Sequence, residues 1–61
     1  MKRSNLEAKL RALGWMPSRP SGTRHTVWIH SVHPAELFVP NHDLIWDSNA
    51  AAILAKAEGG R

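Results

Sequence analysis

Four histidines, His25, His30, His33 and His42, are the side chains best suited to chemistry in this 61-residue chain. Histidine has an ordinary pKa of about 6.5, so it can take or give a proton near neutrality. There is no cysteine, which excludes a thiol nucleophile, a thiolate zinc site and a disulfide scaffold. A Gly-x-Ser-x-Gly elbow, a Walker-type phosphate loop and paired carboxylates are also missing. His30-x-x-His33 has the spacing of two metal ligands, with His25 or His42 as a third. Period-two alternation, however, sends His25 and His30 to opposite faces of one strand, and no cysteine or nearby carboxylate completes the set. The sequence predicts no metal site and no cofactor, and His30 and His33 read as exposed hairpin residues.

His25 differs from the others in its neighbours. It follows Ser21–Gly22–Thr23–Arg24 and so opens a strand beside a glycine turn, with a guanidinium next to it and hydroxyls at Thr23 and Thr26. On period two it shares a face with Val27 and Ile29, while Arg24, Thr26, Trp28 and His30 share the other. Period alone favours a structural role, a strand-end histidine tucked against a helix layer.

The charge is unevenly placed along the chain. Lys2, Arg3, Lys9, Arg11, Arg19 and Arg24 against Glu7 give residues 1–30 a net +5, whereas Lys56 and Arg61 against Glu36, Asp43, Asp47 and Glu58 give residues 31–61 a net −2. Such a split favours a polyanion as ligand and also permits an acidic protein partner.

The elements that must position these groups follow from local pattern. Ser4–Asn5–Leu6–Glu7 has the form of a capping box. Leu6, Leu10 and Leu13 then make an apolar stripe, and Gly14 stands where a left-handed C′ residue belongs. The first helix is predicted over residues 5–13. Pro17, Pro20 and Gly22 allow at most an edge strand and a turn after Trp15 and Met16. Residues 23–30, rich in β-branched and aromatic types, read as the best strand, and Ala35–Val39 as its antiparallel partner in a hairpin. Leu44, Ile45 and Trp46 have no clear period. A last helix is predicted over residues 49–58, capped by Asp47 or Ser48, with Ala50, Ile53, Leu54 and Ala57 on one stripe. Gly59–Gly60 stops it, and Arg61 is expected to fray.

Two amphipathic helices and three strands bury their apolar faces most simply as an α+β fold. The expected form is two-layered, helix–strand–strand–strand–helix, with a three-stranded antiparallel sheet, both helices on one face and the other face open. At least two of the three tryptophans should be core, with Trp15 and Trp46 favoured. With 43% hydrophobic and 21% charged residues, the chain lies outside the disordered regime. Its apolar runs are far short of the roughly 20 residues of a membrane span. With no signal core behind Met1–Lys2–Arg3, the chain reads as cytosolic.

Gly14–Trp15, Gly22–Thr23–Arg24–His25–Thr26–Val27–Trp28, Val39–Pro40–Asn41–His42 and Ile53–Leu54–Ala55–Lys56–Ala57, in that order and spacing, resemble the HicA toxin family over nearly the whole chain. Residues 1–61 would then form a single HicA-like toxin domain, with the fold of a double-stranded-RNA-binding domain in miniature. The resemblance implies the toxin of a type II toxin–antitoxin pair, a ribosome-independent mRNA interferase that cleaves RNA without a metal and is neutralised by a HicB-like antitoxin. It lays the family's Gly-Ser-x-His motif on Gly22, Thr23, Arg24 and His25, which makes His25 the catalytic residue. Its Val-Pro-x-His motif falls on Val39, Pro40, Asn41 and His42. Thr23 stands where serine is usual, and Asn41 where a basic residue is common. Arg24, Arg19 and Lys9, with Thr23, are the candidate RNA contacts. His42 is either a second acid–base group or a structural partner. The alternative reading is a non-catalytic RNA-binding module of the same fold, with Trp15, Trp28 or Phe38 stacking on bases.

Overall fold

The leucine stripe of the first segment forms α1 (Arg3–Ala12), with Leu6 and Leu10 buried and Leu13 half-buried against the same core. The computed structural model describes residues 1–59. The helix starts earlier than the capping-box pattern predicts. Ser4 lies inside it, and Lys2 is the N-cap with no side-chain cap bond. The reason is tertiary: the Arg3 N–H donates to the Asp43 carbonyl at 2.9 Å, and the Ile45 N–H donates to the Met1 carbonyl at 2.8 Å. A short antiparallel bridge, Lys2 opposite Leu44, results. Orphan groups at the helix start are thus satisfied by a segment some 40 residues away in sequence. The other end follows the local pattern: Gly14 has φ +95°, and its N–H donates to the Arg11 carbonyl at 3.0 Å.

Three strands, β1 (Trp15–Ser21), β2 (His25–His30) and β3 (Leu37–Pro40), form one antiparallel sheet in the order β1-β2-β3. The proline-bearing segment is a full seven-residue strand. It tolerates Pro17 and Pro20 because it lies at the sheet edge, and the register shifts between Pro17 and Arg19 as at a bulge. β2 begins at His25 rather than at residue 23, because Gly22, Thr23 and Arg24 make the turn. β3 begins at Leu37 rather than Ala35 and runs on to Pro40.

The last helix, α2 (Asp47–Glu58), buries Ala50, Ile53 and Ala57 and half-buries Leu54, the predicted stripe. Neither Asp47 nor Ser48 caps it; Trp46 is the N-cap, without a side-chain bond. The Asp47 carboxylate instead accepts a hydrogen bond from the Met1 ammonium at 2.9 Å. That bond, reinforced by the opposite charge, holds the Asp47 carboxyl below its ordinary pKa. Gly59 ends the helix, while the expected fraying of Arg61 concerns a residue outside the described ones.

The protein is therefore α+β, with helix, three antiparallel strands and helix in that order. Both helices cover one face of the sheet, where Leu6, Leu10, Trp15, Trp28, Leu37 and Ile53 are among the residues of one core cluster. Two tryptophans are core, but they are Trp15 and Trp28, at 2% and 1% exposure, whereas Trp46 is 83% exposed. Of the apolar trio 44–46, only Ile45 packs inward. The Trp15 indole N–H donates to the Ala57 carbonyl at 3.3 Å, tying β1 to α2. The Arg11 guanidinium sits 5.2 Å from the centre of the Trp28 ring, where it adds a cation–π contact. No helix among the described residues is long and apolar enough to cross a membrane.

Candidate functional site

Strand register sorts the side chains of the sheet into two faces. Thr26 pairs with Val39 and Trp28 with Leu37, and since Trp28, Leu37 and Val39 belong to the core, this is the face under the helices. The alternate residues lie on the helix-free face. There Ser21, His25 and Pro40 form one row across the three strands, and Arg19, Val27 and Phe38 form the next. Met16 and Ile29 continue it. His25 is accordingly not tucked against the helix layer; the sheet stands between them, and His25 is half-buried on the open side.

The end of the sheet that carries His25 is built tightly. Gly22, at φ +65°, takes the left-handed conformation that closes the three-residue connection from Ser21 to His25. Thr23 and Arg24 stand exposed on that turn, so strand alternation does not fix the direction of Arg24. Asn41 braces the turn from the far side: its N–H donates to the Arg24 carbonyl at 2.8 Å, and its Oδ1 accepts from the Thr26 hydroxyl at 2.7 Å. Its carbonyl also accepts a hydrogen bond from the Arg3 guanidinium. Asn41 is thus a positioning residue that sequence reasoning left without a role. Its signal in the sequence was its place as the variable position of the Val39–Pro40–Asn41–His42 motif. His42 follows it, exposed, two residues beyond the register partner of His25.

The structure separates the remaining candidates. Arg19 shares the open face with His25, but its guanidinium forks onto the Glu36 carboxylate at 3.0 and 3.1 Å. Hydrogen bonding and charge from Glu36 raise the Arg19 pKa above its ordinary value. This ion pair spans from β1 to the start of β3, with Val27 of the intervening strand only 1% exposed. Lys9 is on α1, in the opposite layer, lining a shallow groove with Ala12, Leu13, Leu54 and Glu58. The structure does not bring it to His25.

The charge split of the sequence also closes up in space. Arg3 faces Glu7 at 3.6 Å and Asp43 at 3.8 Å, and Arg19 faces Glu36, so two cations of the basic half are paired with acids of the acidic half. Exposed pairs of this kind contribute little to stability. They do weaken the local positive field, and beside His25 they leave Arg24 without an ion pair among the described residues.

His30 and His33 are not exposed hairpin residues. His30 Nδ1 accepts from the Val32 N–H at 3.0 Å and the His33 N–H at 3.4 Å, which leaves the hydrogen on Nε2, donated to the Leu13 carbonyl at 3.0 Å. The two rings pack with Trp15, their centroids 5.2 Å (His30) and 5.3 Å (His33) from the indole and 4.6 Å from each other. This cluster is structural, and Gly14 makes room for it. A Cβ at Gly14 would stand 2.7 Å from His30 Nε2, on a backbone at φ +95°. Gly14→Ala is therefore expected to destabilise the domain by about 1–3 kcal/mol. In a thermal melt that is a drop of roughly 4–8 °C per kcal/mol. An unchanged Tm would show that neither the conformation nor the contact matters.

No family model, curated protein or solved structure matches this chain. Concave surfaces lie away from His25, one beside Lys2, Arg3 and Asp43 and one beside Trp15, His33 and Lys56. The His25 face is an open sheet, suited to a ligand laid across it rather than enclosed.

Proposed function

We propose that this chain is an endoribonuclease that cleaves mRNA in the cytoplasm, the toxin of a type II toxin–antitoxin pair of the HicA kind, with His25 as general base. The observation that supports this reading is the placing of His25: half-buried, on the helix-free face, at the strand end beside the Thr23–Arg24 turn. Neutral His25 takes the proton of a ribose 2′-hydroxyl. The freed oxygen attacks the adjacent phosphorus, the P–O5′ bond breaks, and the leaving 5′-oxygen takes a proton from solvent or from His42. The nucleophile belongs to the substrate, so the reaction needs no bound metal to generate one. One positioned base supplies about 10²–10⁴-fold, and orienting the chain and stabilising the phosphorane supply the rest. Arg24 and the Thr23 hydroxyl are the groups beside His25 for that second task. Arg19 joins them when it leaves Glu36, and Lys9 serves only a part of the RNA that reaches the helical layer. A HicB-like antitoxin that covers this open face inhibits by occlusion, and acidic groups on it would match Arg24 and Arg19.

The reading is tested by incubating nuclease-free protein with a single-stranded oligoribonucleotide in the presence of a chelator. Products ending in a 2′,3′-cyclic phosphate and a 5′-hydroxyl are expected, with binding that weakens as salt rises, because phosphate contacts release counterions. Salt-dependent binding without cleavage would leave the RNA-binding module as the function. Neither binding nor cleavage at low ionic strength would rule out RNA as the ligand.

A further inference from the structure

We infer that Phe38 is the platform for an unpaired nucleobase next to His25, which makes the nucleotide beside the cleaved bond a single-stranded one. This inference rests on the function proposed above. Trp15 and Trp28 are consumed by the core and Trp46, though exposed, stands at the start of α2 outside the sheet, whereas Phe38 is a strand residue with 51% exposure. It stands on the helix-free face. Its register partner is Val27, and His25 is the next residue of β2 on that face, so Phe38 and His25 are diagonal neighbours, a relation that in antiparallel sheets spans about 7–8 Å. That is within the reach of one nucleotide whose phosphate lies at His25.

The surroundings fit a base rather than a sugar or a second phosphate. Val27, 1% exposed, fills the space between Arg19 and Phe38, and the apolar surface that a base can reach is Phe38 itself, with Met16 and Ile29 exposed farther along the same face. Across the strands in the same row stands Arg19, whose guanidinium is already forked onto a carboxylate and so has the geometry to fork onto a phosphate. An apolar ring flanked by a base and a guanidinium is the arrangement with which sheets hold single strands, stacking bases while cations follow the backbone. A duplex keeps its bases stacked inside and offers an exposed ring nothing to stack on.

The experiment uses His25→Ala as a non-cleaving background and measures binding of a labelled single-stranded oligoribonucleotide and of its duplex. Phe38→Ala is expected to weaken single-strand binding by roughly 5- to 150-fold, the range found for loss of one stacked base. Phe38→Trp should retain it, Phe38→Leu should not restore it, and duplex binding should stay the same for all three. In the active protein, Phe38→Ala should raise KM more than it lowers kcat. If wild type cleaves RNA but Phe38→Ala alters neither binding nor kinetics, the platform is wrong and the proposed function stands. If Phe38→Ala instead changes only the molar mass in light scattering, the face is for self-association and the platform is again wrong. If no RNA is bound or cleaved by any form, both readings fall together.

Discussion

His25→Ala is expected to fold like the wild type and to lose about 10²–10⁴-fold of its RNA cleavage rate, the usual contribution of one positioned general base. Folding should be spared because His25 is half-buried on the open side of the sheet, outside the core cluster, and has no side-chain hydrogen bond among the described residues. Binding of RNA by the variant should persist, since the proposed phosphate contacts come from Arg24, Thr23 and Arg19. The decisive measurement is a single-turnover rate on a defined oligoribonucleotide, with circular dichroism and a thermal melt as controls. His42→Ala, run alongside, separates its two readings: a comparable loss makes it the acid, and an unchanged rate makes it a bystander. Undiminished cleavage by a clean His25→Ala preparation would remove His25 from the mechanism.

Trp28→Ala should show the largest effect on stability. Trp28 lies at the centre of the middle strand, 1% exposed, in the same cluster as Leu6, Leu10 and Leu37. Removing a buried tryptophan costs about 3–5 kcal/mol through lost apolar contact and the cavity left behind. A domain of this length has a total of only about 3–9 kcal/mol at the usual margin per residue. The variant is therefore expected to be largely unfolded at 37 °C, seen as lost near-ultraviolet dichroism and a collapsed urea midpoint. Trp28→Phe should be much milder. It keeps most of the apolar volume and removes an indole N–H that has no acceptor among the described residues. Trp46→Ala, at an 83% exposed position, should stay within about 0.5 kcal/mol of wild type. A folded Trp28→Ala protein would mean that this ring is not what holds sheet and helices together.

The contrast between Trp28 and Trp46 marks how far the sequence could be read. Composition made two buried tryptophans a sound expectation, because a chain of 61 residues has few other large side chains to fill a core. Choosing which two needed the path of residues 41–46, and that path is set by contacts with Met1, Lys2 and Arg3. The same contacts displaced the expected capping box at Ser4. His30 is a parallel case: its position in a hairpin suggested exposure, while its bonds to Leu13, Val32 and His33 come from the way the loop folds back on Trp15. Asn41 figured only as the variable position of the Val39–Pro40–Asn41–His42 motif and Glu36 carried no pattern at all, because one works by bracing a turn and the other by an ion pair across a strand.

Local rules, which act over a few residues, determined the order of helices and strands, the left-handed Gly14, the edge character of the proline strand and the alternation that separates His25 from Trp28. The tertiary structure decided which side of that alternation the helices cover, and so placed His25 and Phe38 together on the open face. It also decided that Arg19 meets Glu36, 17 residues away, and that the Met1 ammonium meets Asp47, 46 residues away. Those pairings depend on register and on how layers stack, which no short window of sequence encodes. The basic and acidic halves thus read as a split along the chain, and the fold partly cancels them by laying one against the other.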